Sequence, residues 1–166
     1  MSKTALLIID MQKACKEATS CKASFEKAVE YINEVSQYFR KHGLPVVIIQ
    51  DVEAGGAETE GFQCVDEIAV SGNDIFVHKT YNNAFWKTEL DAVLRSKGIN
   101  CLIISGFAAE YCVLFTYNGA VERGYSTFLL QNGIAGFDDD EIKRIHMLRS
   151  VISYDALAYF LKEAKP

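Results

Sequence analysis

The sequence predicts an α/β fold: a three-layer α/β/α sandwich around a mainly parallel, Rossmann-like sheet of five or six strands. Three observations predict it. Short apolar runs alternate with stretches of helical period along the whole chain. The runs are continuously apolar and often β-branched, as strands covered on both faces must be. The strand-then-helix order repeats five or six times, which joins parallel strands through right-handed crossovers.

Thr4–Ile9 is the first such run. Phe25, Val29, Ile32, Val35 and Phe39 then recur at helical spacing, with Ser24 as the predicted cap and Gly43 and Pro45 as the stop. Val46–Gln50 is a second buried strand. Residues 53–73 are rich in Gly and Glu and lack a period, so they read as a loop with room for one helical turn. Ile75–His78 is the third strand. Thr88–Lys97 is a helix with Leu90, Val93 and Leu94 on one face and Gly98 behind it. Cys101–Ser105 is the fourth strand, and Glu110–Arg123 a helix that Gly124 ends. Tyr125–Leu130 is the fifth strand. Asp138–Arg149 is a helix whose opening Asp residues suit its N-terminus. Val151–Ser153 is a short sixth strand and Asp155–Ala164 a final helix.

Composition narrows the function. The 166 residues are 49% hydrophobic and 23% charged, which excludes a disordered chain and sets the expectation of one domain over residues 1–166. The net charge is −5, and no dense run of Lys and Arg could track a phosphate backbone, so a nucleic-acid partner is not expected. The apolar runs are far too short to span a bilayer, so a membrane partner is not expected either. The first residues have no signal-peptide pattern, which sets the expectation of a cytoplasmic protein. Five cysteines, at positions 15, 21, 64, 101 and 112, are odd in number and lack a C-x-x-C, so neither a disulfide framework nor a zinc ribbon is expected.

A parallel sheet carries its ligand site at the C-terminal ends of its strands, near the point where strand order reverses. Asp10 follows the first strand, Gln50 and Asp51 the second, Lys79 the third. Gly106 through Cys112 follow the fourth and lead into a helix. A thiol is nucleophilic as thiolate, and a helix N-terminus and a nearby ammonium lower its pKa. A carboxylate can take the thiol proton and return it to a leaving amine. Backbone amides of a tight strand-to-helix turn can hold an oxyanion. Each residue alone has a plainer reading: Asp10 as a turn residue, Lys79 as a solvated end, Cys112 as a small core residue. All three at one sheet edge make a coherent cysteine amidase.

Three segments carry a resemblance. Leu7-Ile8-Ile9-Asp10-Met11-Gln12, His78-Lys79-Thr80-Tyr81-Asn82-Asn83-Ala84-Phe85, and the turn from Gly106 to Cys112-Val113 resemble the signatures of the isochorismatase-like cysteine hydrolases. The resemblance covers Thr4 to about Leu161. It implies Cys112 as nucleophile, Asp10 as general base and later acid, and Lys79 as the group that stabilises the thiolate and orients Asp10. It also implies a cis peptide between Phe107 and Ala108, with the amides of Ala108 and Cys112 as oxyanion donors.

The chain departs from that pattern in places. Lys13-Ala14-Cys15 stands where the family usually continues Asn-Asp-Phe, and Ala109 where it usually has Thr. Nicotinamidases of the superfamily hold a metal with Asp-x-His and a further His. Here strand two ends Asp51-Val52-Glu53, and His42, His78 and His146 lie far apart, so neither metal nor any other cofactor is expected. A thiol is superfluous for cleaving an enol ether, so the expected reaction is hydrolysis of a small amide, carbamoyl or ureido bond. Gln12, Asp51, Asn83, Phe85, Trp86 and Tyr111 are the candidate substrate-binding residues, with Glu53 a further candidate for the pocket lining and Phe85 and Trp86 equally readable as core or subunit contacts. Exposed aromatics and the resemblance together set the expectation of a homo-oligomer acting on a small-molecule substrate. Two alternatives stay open: a non-catalytic or redox-sensing member of the fold with Cys112 as its reactive thiol, and a small-ligand binding module.

Overall fold

The computed structural model describes residues 3–163. Their elements run β1 (Thr4–Ile9), α1 (Lys13–Ala18), α2 (Lys22–Lys41), β2 (Val46–Asp51), β3 (Ile75–Lys79), α3 (Leu90–Ser96), β4 (Cys101–Gly106), α4 (Leu114–Glu122), β5 (Ser126–Ile134), α5 (Asp139–Leu148), β6 (Val151–Ile152) and α6 (Tyr154–Glu163). The six strands form one all-parallel sheet in the order β3-β2-β1-β4-β5-β6. The α/β class and the parallel sheet are as the apolar runs predict.

Because side chains alternate along a strand, each strand feeds two cores. Leu7, Ile9, Val47, Ile49, Val77, Leu102 and Ile104 pack with Leu90, Leu94, Val113, Tyr117, Ile142 and Ile145 on the α3–α4–α5 side. Leu6, Ile8, Val46, Ile48 and Ile103 pack with Phe25, Ala28, Ile32, Val35, Phe39 and Leu157 on the α2–α6 side. No described helix is long and apolar enough to cross a membrane.

Several boundaries differ from expectation. α2 begins at Lys22, so Ser24 lies in its first turn and donates to the Cys21 carbonyl instead of capping the helix. The helix expected from Glu110 opens with a wide π-helical turn, Ala109–Val113, before α4 proper. The final helix extends to Glu163, and its expected end at Ala164 lies outside the described residues. The chain moves outward from β1 to β3, then crosses back to β4 and moves out the other way. Strand order therefore reverses between β1 and β4, the place where such sheets hold ligands.

Candidate active site

At the reversal, β1 and β4 end side by side, with Ile9 opposite Gly106. Gly106 has φ +112°, and a Cβ there would lie 2.0 Å from the Ile9 carbonyl oxygen. Only glycine allows this approach. Phe107 N–H then donates to that carbonyl at 2.8 Å, and the Phe107–Ala108 peptide is cis. The next turn carries Cys112 over the end of β1. Asp10 follows β1 at φ +49°, a left-handed conformation that Asp tolerates.

Lys79 arrives from two strands away. It is paired in register with Asp51 of β2, and its fully buried side chain runs under the strand ends. Its ammonium lies 2.8 Å from Asp10 Oδ2, 2.7 Å from Asp51 Oδ2 and 3.4 Å from Cys112 Sγ. Ligand atoms of Asp10, Asp51 and Cys112 all lie within 4.8 Å of one another. The thiol also donates to Asn82 Oδ1 at 3.5 Å. Asp10, at 2% exposed, keeps Oδ1 buried with no hydrogen-bond partner among the described residues.

Electrostatics at this cluster correct one expectation. The Cys112 thiol is not acidified: burial, and then the Asp10 carboxylate, push its pKa up against the pull of Lys79. Burial also raises Asp10 to about 6, while Lys79 and the thiol hold it from rising further. Burial opposes the Lys79 ammonium, but Asp10, Cys112 and Asp51 outweigh it and hold its pKa above the ordinary lysine range. Asp10 and Cys112 thus compete for one proton, which rests on sulfur at neutral pH.

A cavity of about 280 Å³ opens over the cluster, lined by Asp10, Cys15, Asp51, Glu53, Ala54, Asn82, Phe107, Ala108, Tyr111, Cys112 and Phe137. Of the six candidate binding residues, Asp51 and Tyr111 line it. The other four do not. Gln12 is fully buried, and its amide is spent on the Asp51 and Phe62 carbonyls and the Asp51 amide, so it braces the end of β2. Asn83 accepts from Phe85 N–H and packs against Gly119 of α4. Phe85 is a core residue that stacks on Tyr125. Trp86 is 52% exposed on the outer surface.

Sequence reasoning overlooked Asn82, Cys15, Phe137 and Glu110. Glu110 Oε1 accepts from Phe137 N–H at 2.8 Å, which sets the Phe137 ring against Phe107 and Tyr111 at the cavity mouth. Cys15 holds the position of the family's aromatic and does line the cavity; burial and Asp10 raise its thiol to about 12.

The residues present do not suit a metal ion. Asp51 Oδ2 accepts from Lys79 and Oδ1 from Glu53 N–H, so the ammonium already fills the place between the carboxylates. His42 stacks on Tyr38, His78 meets Phe62 on the far side of β3, and His146 lies on α5.

Comparison with known proteins adds the lineage. A model of the isochorismatase domain matches residues 4–154. An isochorismatase family protein of Bacillus subtilis is 27% identical over 140 residues, spanning 81% of this chain and 75% of its own length. The ureidoacrylate amidohydrolase of Pseudomonas syringae pv. syringae is 30% identical over 163 residues, spanning 74% of this chain and 66% of its own. The crystal structure of N-carbamoylsarcosine amidase from Thermoplasma acidophilum superposes with a TM-score of 0.80 at 25% identity, covering 91% of this chain and 95% of that one.

Proposed function

Since the chain belongs to the isochorismatase family of hydrolases, we propose that it cleaves a small amide, carbamoyl or ureido C–N bond through a thioester on Cys112. The observation that carries this reading is the buried Lys79 ammonium in contact with both Asp10 and Cys112 Sγ beneath a small cavity.

In this reaction Asp10 takes the thiol proton as Sγ attacks the carbonyl carbon. A poised proton acceptor is needed because the resting thiol is protonated. Negative charge moves from carboxylate to sulfur and then to the carbonyl oxygen, while the Lys79 ammonium stays within reach of the first two. The Ala108 and Cys112 amides receive the oxyanion. Asp10 returns its proton to the leaving nitrogen, then draws a proton from the water that hydrolyses the thioester. A redox-sensor role fits less well, because burial and Asp10 keep the thiolate scarce and a thiolate is the species that oxidants attack.

The same proposal takes residues 1–166 as one hydrolase domain that works in the cytoplasm as a homo-oligomer. Exposed Phe115, Val121, Met147 and Leu148 on α4 and α5 support association, and sedimentation should give more than one chain per particle. For the reaction itself, ammonia release from a panel of small amides and ureides is the test. The native chain should turn over at least one member and Cys112→Ala none, with a thioester on Cys112 visible by mass spectrometry after rapid acid quench. Equal rates for the two proteins would refute the reading.

A further inference from the structure

Resting on that reading of the site, we infer that its substrate is a small amide that carries a cationic group, an ammonium or guanidinium, and not a carboxylate. Among the described residues the cavity lining contains three carboxylates, from Asp10, Asp51 and Glu53, and no Arg, His or Lys. Lys79, beneath it, is already in contact with two of those carboxylates. Counted as three carboxylates, one ammonium and a neutral thiol, the site therefore carries two net negative charges. An anionic substrate would meet that field without a counter-charge, and a buried unpaired carboxylate is costly.

The geometry separates the ends of such a substrate. At the inner end, Asp10 Oδ1 is buried beside the thiol without a partner among the described residues and is free to meet the reacting nitrogen. At the outer end, the Glu53 side chain has no ion pair among the described residues, while its own amide is tied to Asp51 Oδ1. Lining the same cavity are the rings of Phe107, Tyr111 and Phe137. Phe107 and Phe137 lie 4.8 Å apart, and Tyr111 and Phe137 lie 6.1 Å apart. Tyr111 and Phe137 are 50% and 41% exposed, so part of each residue is open to a ligand. Aromatic faces attract a cation and repel an anion. A carboxylate and aromatic rings lining one small cavity form a receptor for a small organic cation.

The test separates charge preference from chemistry. Binding of 4-aminobutanamide, its uncharged isostere pentanamide, and succinamate is measured by calorimetry on Cys112→Ala, and their hydrolysis is followed on the native chain. The cation should bind about fivefold more tightly than the neutral amide, as expected for a partly exposed charge and ring contact. The anion should bind most weakly, and the spread should shrink in high salt. Glu53→Gln should narrow the cation's advantage, and Glu53→Lys should reverse the order of cation and anion. Tightest binding of succinamate, equal binding of all three, or no binding of the cation at millimolar concentration each overturn the inference. Preferential binding of the cation with no ammonia released from any probe leaves the charge preference standing and counts against the hydrolase reading instead.

Discussion

Asp10 stands between two demands. Its carboxylate must be ionised to take a proton, yet it is buried beside a sulfur that also needs the negative charge. Its pKa near 6 sets the working range: kcat/KM should rise through about pH 6 and level off above it, since only the ionised form is a base. A profile flat between pH 5 and 8 would remove Asp10 from that role. Asp10→Asn offers a sharper test, because its two effects point in opposite directions. Turnover should fall by about 10²–10⁴, the usual worth of a general base. Alkylation of Cys112 by iodoacetamide at pH 7 should nevertheless speed up, because the carboxylate that raises the thiol pKa is gone. A merely structural Asp10 would slow both. At this scale Asp10, Lys79 and Cys112 were legible because each follows or ends a strand. Asn82 and Glu110 were not, since their significance rests on contacts with Sγ and with the Phe137 amide that span roughly thirty positions of sequence. The expected acidic thiol failed for a related reason: the helix start and the ammonium are visible in sequence, whereas the depth of burial is not.

Among the elements, the junction of β1 and β4 positions Cys112, the proposed nucleophile. Gly106→Ala would drive a methyl group to 2.0 Å from the Ile9 carbonyl, in a conformation that L-residues avoid. Backbone cannot yield as a side-chain end can, so stability should fall by about 4 kcal/mol or more, with turnover lost. Urea unfolding measures the first and ammonia release the second; a variant within 1 kcal/mol of the native chain would show that the junction is softer than its geometry implies. The long apolar strands and the amphipathic α2 and α5 were legible from their periods. α1 was not: six residues are too few for a helical pattern, and Lys13 and Lys16 tie it instead to Glu60, Asp66 and Glu67 of the 53–73 loop. β5 runs past its expected end at Leu130, through Asn132-Gly133, a pair that favours turns. The strand continues through it, with Asn132 at φ +60° and Ile134 pairing with Gly106.

For the molecule as a whole, the sheet order gathers costly charge at one point. Strands diverge on either side of β1 and β4, and the crevice between them receives Asp10 from one half, Cys112 from the other and Lys79 from below. Folding must therefore bury carboxylate charge that unfolding would release to water, and this links function to stability. Asp10 has an ordinary value of 3.8 and a folded value of about 6, so the folded state holds its proton more tightly. Its contribution is fully present below pH 3.8 and is lost as pH rises through 6. Asn does not titrate, so the Tm of Asp10→Asn minus that of the native chain should increase between pH 4 and pH 7. The change should be on the order of 5 °C, given the size of the pKa shift and the length of the chain. Thermal unfolding of the two proteins in matched buffers measures it. A difference that stays constant with pH would mean that Asp10 ionises as freely in the fold as in water. A difference that grows would show the molecule giving up stability, as pH rises through 6, to keep a buried carboxylate charged next to its thiol.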